Sequence, residues 1–193
     1  MTLSTLLLLP LLAYATPLGR RACTVEVPTY IGWIDSASPD FNSNPLADNI
    51  LTLATKEPGR TVDTLVEFTI PQGSWGCQLE LFFQQDYNSL FDYGGPTTVD
   101  VWNVNGPIPL GPNNYSVTWN LAPQTTNLFG TSGQIELPPR YGYRQDVKKV
   151  INSASCQNKM TYRVKVPDNV ARGGVQFYQR PSPFGGWRIV HNC

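Results

Sequence analysis

Two glutamates, Glu67 and Glu80, stand on segments of alternating apolar residues, and a carboxylate pair is the minimum equipment of a glycoside hydrolase. Val66, Phe68 and Ile70 alternate with Leu65, Glu67 and Thr69, and Cys77, Leu79, Leu81 and Phe83 alternate with Gln78, Glu80 and Phe82. Apolar faces packed inward would turn both carboxylates to solvent, or to a groove beside Leu65 and Phe82. Solvated strand glutamates are the expectation, and no catalytic residue is assigned. A nucleophile–histidine triad needs a histidine, and the one present, His191, lies two residues before Cys193. It reads as a residue packed at a chain end. Asp35, Asp40 and Asp48 belong to the polar loop around Ser36 to Asn49, but lack the alternating spacing of a Ca²⁺ loop. They read as Asx-turn residues, and neither a metal nor a cofactor is expected.

The residues best suited to binding lie in Asp86 to Gly95, where Tyr87, Phe91 and Tyr93 are interleaved with Asp and Asn. Such a mix stacks on sugars or anchors a protein partner. Gly94-Gly95-Pro96 then breaks the backbone, which would let the rings be presented outward. The plainer alternative is a loop folded over the end of the core. Asn114-Tyr115-Ser116 is the one N-x-S/T site, preceded by the turn-like Pro109 to Asn113, so Asn114 is expected to be glycosylated.

Glycosylation presupposes the secretory route, and the first residues point there. Leu6 to Leu12 form an apolar run broken only by Pro10, too short to span a bilayer, and Ala13-Tyr14-Ala15 follows as a signal-peptidase pattern. Residues 1–15 are therefore expected to be a signal peptide. Residues 16–21, ending in Arg20-Arg21, are expected to be a short propeptide, and 22–193 a single domain. The cysteines agree. Cys23, Cys77, Cys156 and Cys193 are even in number, none is spaced C-x-x-C, and with a single histidine the chain hardly has the ligands a zinc site would need. Two disulfides are expected. Three connectivities are open. Cys23–Cys193 with Cys77–Cys156 is favoured because domain ends usually lie close together.

These elements need a scaffold, and its class follows from the apolar period. At 193 residues the chain has room for one domain. Pro (17) and Gly (16) are scattered rather than clustered, which leaves little space for long helices. Period-two alternation recurs over Thr64–Ile70, Cys77–Gln84, Val99–Val104, Tyr115–Trp119, Thr161–Val166, Gln176–Gln179 and Trp187–Val190. Roughly ten short strands predict an all-β antiparallel sandwich or jelly roll. Gln145 to Asn152 is ambiguous, because Val147, Val150 and Ile151 have helical spacing. Fourteen basic residues balance fourteen acidic ones with no basic stripe, which argues against nucleic-acid binding, and no segment is long enough for membrane insertion.

The order Phe68-x-Ile70-Pro71, Cys77-x-Leu79-x-Leu81-Phe82-Phe83, Cys156, the Pro181-x-Pro183-x-Gly185 loop after Gln179, and Trp187-x-Ile189-x-x-x-Cys193 resembles a fungal family. It is similar to the C-terminal domain of the ubiquitin-3-binding (But-two) proteins, over Val25 to Cys193. The resemblance implies an all-β, disulfide-bonded fold with no known reaction. The family name comes from one member's interaction with the activating enzyme of a ubiquitin-like modifier, a cytosolic partner that a secreted chain would not meet. The expected function is a secreted, non-catalytic module at the fungal cell surface or wall, binding an extracellular glycan or protein. The alternatives are a small carbohydrate-active hydrolase and a structural cell-wall protein.

Overall fold

A computed structural model describes residues 22–41, 51–109 and 117–193. The signal peptide, the propeptide, Asp48 and Asn114 lie outside the described residues. Thirteen strands follow one another among them, with no helix. They are β1 (Thr24–Glu26), β2 (Tyr30–Asp35), β3 (Leu51–Glu57), β4 (Arg60–Thr69), β5 (Cys77–Phe83), β6 (Leu90–Asp92), β7 (Asp100–Val104), β8 (Thr125–Thr131), β9 (Val147–Ala154), β10 (Lys159–Lys165), β11 (Gly173–Tyr178), β12 (Arg180–Pro181) and β13 (Phe184–His191). Every pairing is antiparallel. One sheet runs β1-β13-β5-β9, with β12 folded back on β13; the other runs β6-β11-β3-β4-β10-β7-β8, with β2 also on β4.

The two sheets face each other as a sandwich, as the alternation predicts. Val66, Phe68 and Ile70 from one side meet Cys77, Leu79, Leu81 and Phe83 from the other in a common core. Trp187 of β13 is the largest fully buried side chain, and its indole N–H donates to Thr52 Oγ1 of β3 at 3.0 Å across the sandwich. Where β3 and β4 diverge beyond their hairpin, the Thr64 hydroxyl stands in for the ladder. It accepts from Leu53 N and donates to Leu53 O, both at 2.9 Å.

A second, smaller apolar cluster lies on the outer side of β4. Tyr30, Ile34, Ile108, Val117 and Ala122 cover Leu65 there, with Trp119 packed against them. The outer faces of β4 and β5 correct one expectation. Glu67 and Glu80 are not solvated; they are 7% and 2% exposed. Glu67 accepts from Lys159 Nζ (2.8 Å), Thr161 Oγ1 (2.9 Å) and the Ile108 amide (3.0 Å). Glu80 pairs with Arg188 at 2.7 Å and faces Lys148 at 3.6 Å. A carboxylate can be held at such depth only by partners of this kind, since an unpaired buried charge is strongly disfavoured.

Two local readings also change. The segment over Gln145 to Asn152 is strand β9, and its helical spacing comes from a bulge. The pairing with β5 shifts between Leu79 and Glu80, so that Asn152 pairs with Leu79, Val150 with Glu80, and Ile151 is the additional residue. The bulge throws the inward set out of phase: Val147, Ile151 and Ala154 meet the core at i, i+4 and i+7, while Val150 is exposed. No strand is formed over 117–119; Val117 and Trp119 alternate because they pack on the outer cluster rather than because they pair.

The disulfides are Cys23–Cys193 and Cys77–Cys156, and no described cysteine is free. The first lies beside the β1–β13 ladder, in which Thr24 pairs with His191; the second joins the start of β5 to the residues after β9. Thiol labelling of the denatured, unreduced protein should give no adduct. Two labelled cysteines per chain would overturn one bridge.

Candidate functional site

The three aromatics singled out between Asp86 and Gly95 do not act as a set. Leu90–Asp92 form β6, an edge strand on β11, with Phe91 paired to Gln176 and Leu90 to Phe177. Tyr87, ahead of this strand, is fully buried, which corrects its assignment to a binding surface. Its ring lies 5.0 Å from that of Phe83, and its hydroxyl donates to Tyr178 O (2.7 Å) and accepts from Tyr178 N (3.0 Å). A Cβ on Gly185 would strike the Tyr87 ring, so the glycine leaves the ring its place. Burial pushes the Tyr87 phenol well above its ordinary range, and it stays a neutral donor. Tyr87 is a positioning residue, fixing the end of β11 from beneath.

Phe91 and Tyr93 are exposed, at 50% and 43%. Leu90 points into the core, so alternation turns Phe91 outward and Tyr93 two residues on likewise, while Tyr93 N still bonds Gly174 O at 3.2 Å. On β11, Val175 and Phe177 are in the core, which puts Gln176 and Tyr178 on the same outer face. The next strand brings Leu53 opposite Gln176 and Leu51 opposite Tyr178. The Tyr93 hydroxyl donates to Gln176 Oε1 at 2.5 Å, and Gln176 Nε2 reaches Tyr178 Oη at 3.5 Å. Burial and the neighbouring Tyr178 push the Tyr93 phenol above its ordinary value while Arg60 pulls it back. The result is a face of three aromatic rings around one amide, with Arg180 over the Tyr178 ring at 5.7 Å.

A groove of about 210 Å³ continues this face beside Tyr93. Leu53, Thr55 and Val62 form its floor, and Lys56, Arg60 and Arg172 bring cations to it, against Glu57. Arg60 is committed to Asp35 through bonds of 2.7 and 3.0 Å, and Lys56 Nζ donates to Asp168 O at 2.9 Å. A larger cleft of about 530 Å³ opens near β7 and the β9–β10 connection, lined by polar groups such as Asn103, Ser155, Asn158 and Thr161. Among the described residues that line it there is no carboxylate and no exposed ring.

The remaining sequence candidates are structural. Glu67 and Glu80 point to opposite outer sides of two sheets that pack about 10 Å apart, each paired with a cation, so they cannot flank one glycosidic bond. His191 is fully buried, with Nε2 3.3 Å from Glu26 Oε1. Asp35 accepts from Ala37 N at 2.9 Å as an Asx turn, and Asp40 accepts from Asn120 Nδ2 at 2.9 Å. Among the described residues no group of three or more His, Cys, Asp or Glu could hold a metal ion. Sequence reading missed Gln176, Tyr178 and Arg172. The alternation of Val175 and Phe177 marks the first two as outward, but only the β6–β11 pairing shows that they neighbour Phe91 and Tyr93.

A family model for the ubiquitin 3 binding protein But2 C-terminal domain matches residues 26–183. Among curated proteins none matches the chain.

Proposed function

The chain belongs to the family of the ubiquitin 3 binding protein But2 C-terminal domain, and on that premise we propose that it is a secreted, non-catalytic binding module acting at the fungal cell surface or outside the cell. Its ligand-facing surface is the outer face of β6, β11 and β3. What carries this reading is the arrangement of Phe91, Tyr93 and Tyr178 around Gln176: Phe91 and Tyr93 are exposed at 50% and 43%, Tyr178 is half-buried beside them, and the two phenols are held on the Gln176 amide. The interaction in the family's name is not carried over. Two disulfides and a leader pattern fit an oxidising compartment, whereas that name speaks of an intracellular partner.

The test is a screen of the purified protein and of Phe91→Ala and Tyr93→Ala against cell-wall polysaccharides and extracellular protein extracts. Both variants should melt within a few degrees of the native protein and bind the captured ligand at least about tenfold more weakly, in line with a central aromatic anchor. Ligands bound equally well by all three proteins would exclude this face.

Secretion is tested separately. The protein recovered from a fungal culture medium should begin at Thr16 or Ala22, and its mass should fall on glycosidase treatment through loss of a glycan from Asn114. An intact Met1 would remove the leader, and an unchanged mass would remove the glycan.

A further inference from the structure

Resting on the reading of the β6–β11–β3 face as a binding surface, we propose that its ligand is an acidic polysaccharide, with aromatic rings taking the sugar faces and Arg172 taking a uronate carboxylate. Three observations lead there. The first is the unengaged cation. Arg60 is neutralised by Asp35, Lys56 is held on a backbone carbonyl, and Arg172 has no side-chain partner among the described residues. Arg172 nonetheless lines the groove together with Tyr93. A planar guanidinium with all its donors unspent is the best side chain for a planar carboxylate.

The second is the local sign of charge. Beyond Arg21 the chain carries 12 basic against 14 acidic residues, yet with Arg60 neutralised by Asp35 the groove is still lined by Lys56 and Arg172 against Glu57. A positive groove on a slightly acidic chain selects for an anion. The third is the shape of what must be covered. Phe91 on β6 and Tyr93 just beyond it stand two residues apart, about 7 Å by strand geometry, and offer flat apolar surface that reaches the groove at Tyr93, where Arg172 is also a lining residue. A uronate ring presents a face of C–H groups with its carboxylate at the rim, so one residue of the polymer can lie on a ring while its acid reaches Arg172. An acidic peptide carries its carboxylates on flexible stems and has no flat apolar face for the rings. A groove of about 210 Å³ also falls below the size of ordinary drug-sized pockets, and suits one sugar residue of a longer chain.

Titration calorimetry decides it, with polygalacturonate, the same polymer after carboxyl reduction, and polyglutamate as probes. The native protein should bind polygalacturonate, bind the reduced polymer at least about tenfold more weakly, and bind polyglutamate no better than the reduced polymer. Arg172→Gln should lose about tenfold on polygalacturonate and nothing on the reduced polymer, with unchanged melting because the side chain holds no partner. Lys149→Gln, the same charge change on β9 of the other sheet, should bind like the native protein. Equal binding of both galactose polymers, abolished by Phe91→Ala, would overturn the acidic ligand while leaving the face as the binding surface. Equal binding of polyglutamate, or equal loss in Lys149→Gln, would reduce the effect to bulk charge and overturn the proposal. No binding of polygalacturonate overturns it outright, and the fate of the face is then settled by the ligand screen with Phe91→Ala and Tyr93→Ala.

Discussion

Tyr87→Ala is expected to destabilise the protein by about 3–5 kcal/mol, while Phe91→Ala, four residues on, changes stability by about 0.5 kcal/mol or less. The contrast follows from where alternation and pairing place each ring. Tyr87 is fully buried against Phe83 and makes two hydrogen bonds to the backbone of Tyr178. Alanine leaves a cavity the size of the ring and strands two buried polar groups on β11. Phe91 is half exposed and spans no cavity. Tyr87→Phe separates the contributions: it keeps the ring, loses only the hydrogen bonds, and should cost about 1–3 kcal/mol. Denaturant titrations of the three variants read these values directly. A large loss in Phe91→Ala would make that ring part of the core and remove it from the binding surface. Tyr87→Ala should also weaken binding at that surface, because Tyr178 would lose its anchor, whereas Phe91→Ala should affect binding alone.

Arg163→Met is the second substitution with a large expected effect, about 3–5 kcal/mol at neutral pH. Asp63 and Arg163 are 2% and 11% exposed at their side chains, and both Nε and one terminal nitrogen of Arg163 donate to Asp63 Oδ2 at 2.7 Å. Asp63 Oδ1 is buried without a partner. Burial pushes the Asp63 carboxyl above its ordinary 3.8; Arg163 and Lys165 pull it back, and Asp168 pushes it further up. The sign of the pH effect follows. An acid whose folded pKa is raised holds its proton longer in the folded state than in the unfolded one. Stability therefore falls as pH rises from the ordinary carboxylate range through the folded value, and is flat above it. Removing Arg163 removes the largest downward influence and extends that window upward. The penalty of Arg163→Met relative to the native protein should then be largest near pH 7 and shrink towards about pH 4. Methionine keeps the apolar stem that packs near Trp119, whose ring lies 4.6 Å from the Arg163 guanidinium. A penalty independent of pH would trace the loss to that packing instead. Adding Asp63→Asn should recover much of the stability, because the unpaired charge is then gone.

How much of this was legible in the sequence depends on the range over which each feature is determined. The core faces of β4 and β5 are local patterns, and Val66, Phe68, Leu79 and Leu81 declare them without any partner strand. The disulfide pairing also followed from a simple geometric expectation about domain ends. The environment of Glu67 was not legible, because its partners are Ile108, Lys159 and Thr161, far away in sequence and brought together only by the topology. Nor was β9, where one bulged residue turned a period of two into i, i+4, i+7. The candidate surface divides the same way. Phe91 and Tyr93 announce themselves by composition, but their neighbours Gln176, Tyr178 and Arg172 arrive from 80 or so residues downstream. Tyr87 shows the limit of composition as a guide: the same loop supplies two rings to the surface and one to the core.

The Cys23–Cys193 bridge has a mechanical consequence. Cys23 precedes β1, Cys193 follows β13, and the two strands are antiparallel neighbours, so both cysteines sit at the same end of one three-pair ladder. A pull applied between them loads the ladder from that end, the geometry in which strand pairs open one after another like a zipper and resist least. The covalent bond stands directly across that opening. Tension delivered at these two points passes through a single S–S link and never reaches the hydrogen bonds of the sandwich. With the bridge intact the domain is an inextensible joint, whatever the stability of its core. Once reduced, the same domain would lengthen under a small force, beginning with Thr24 leaving His191.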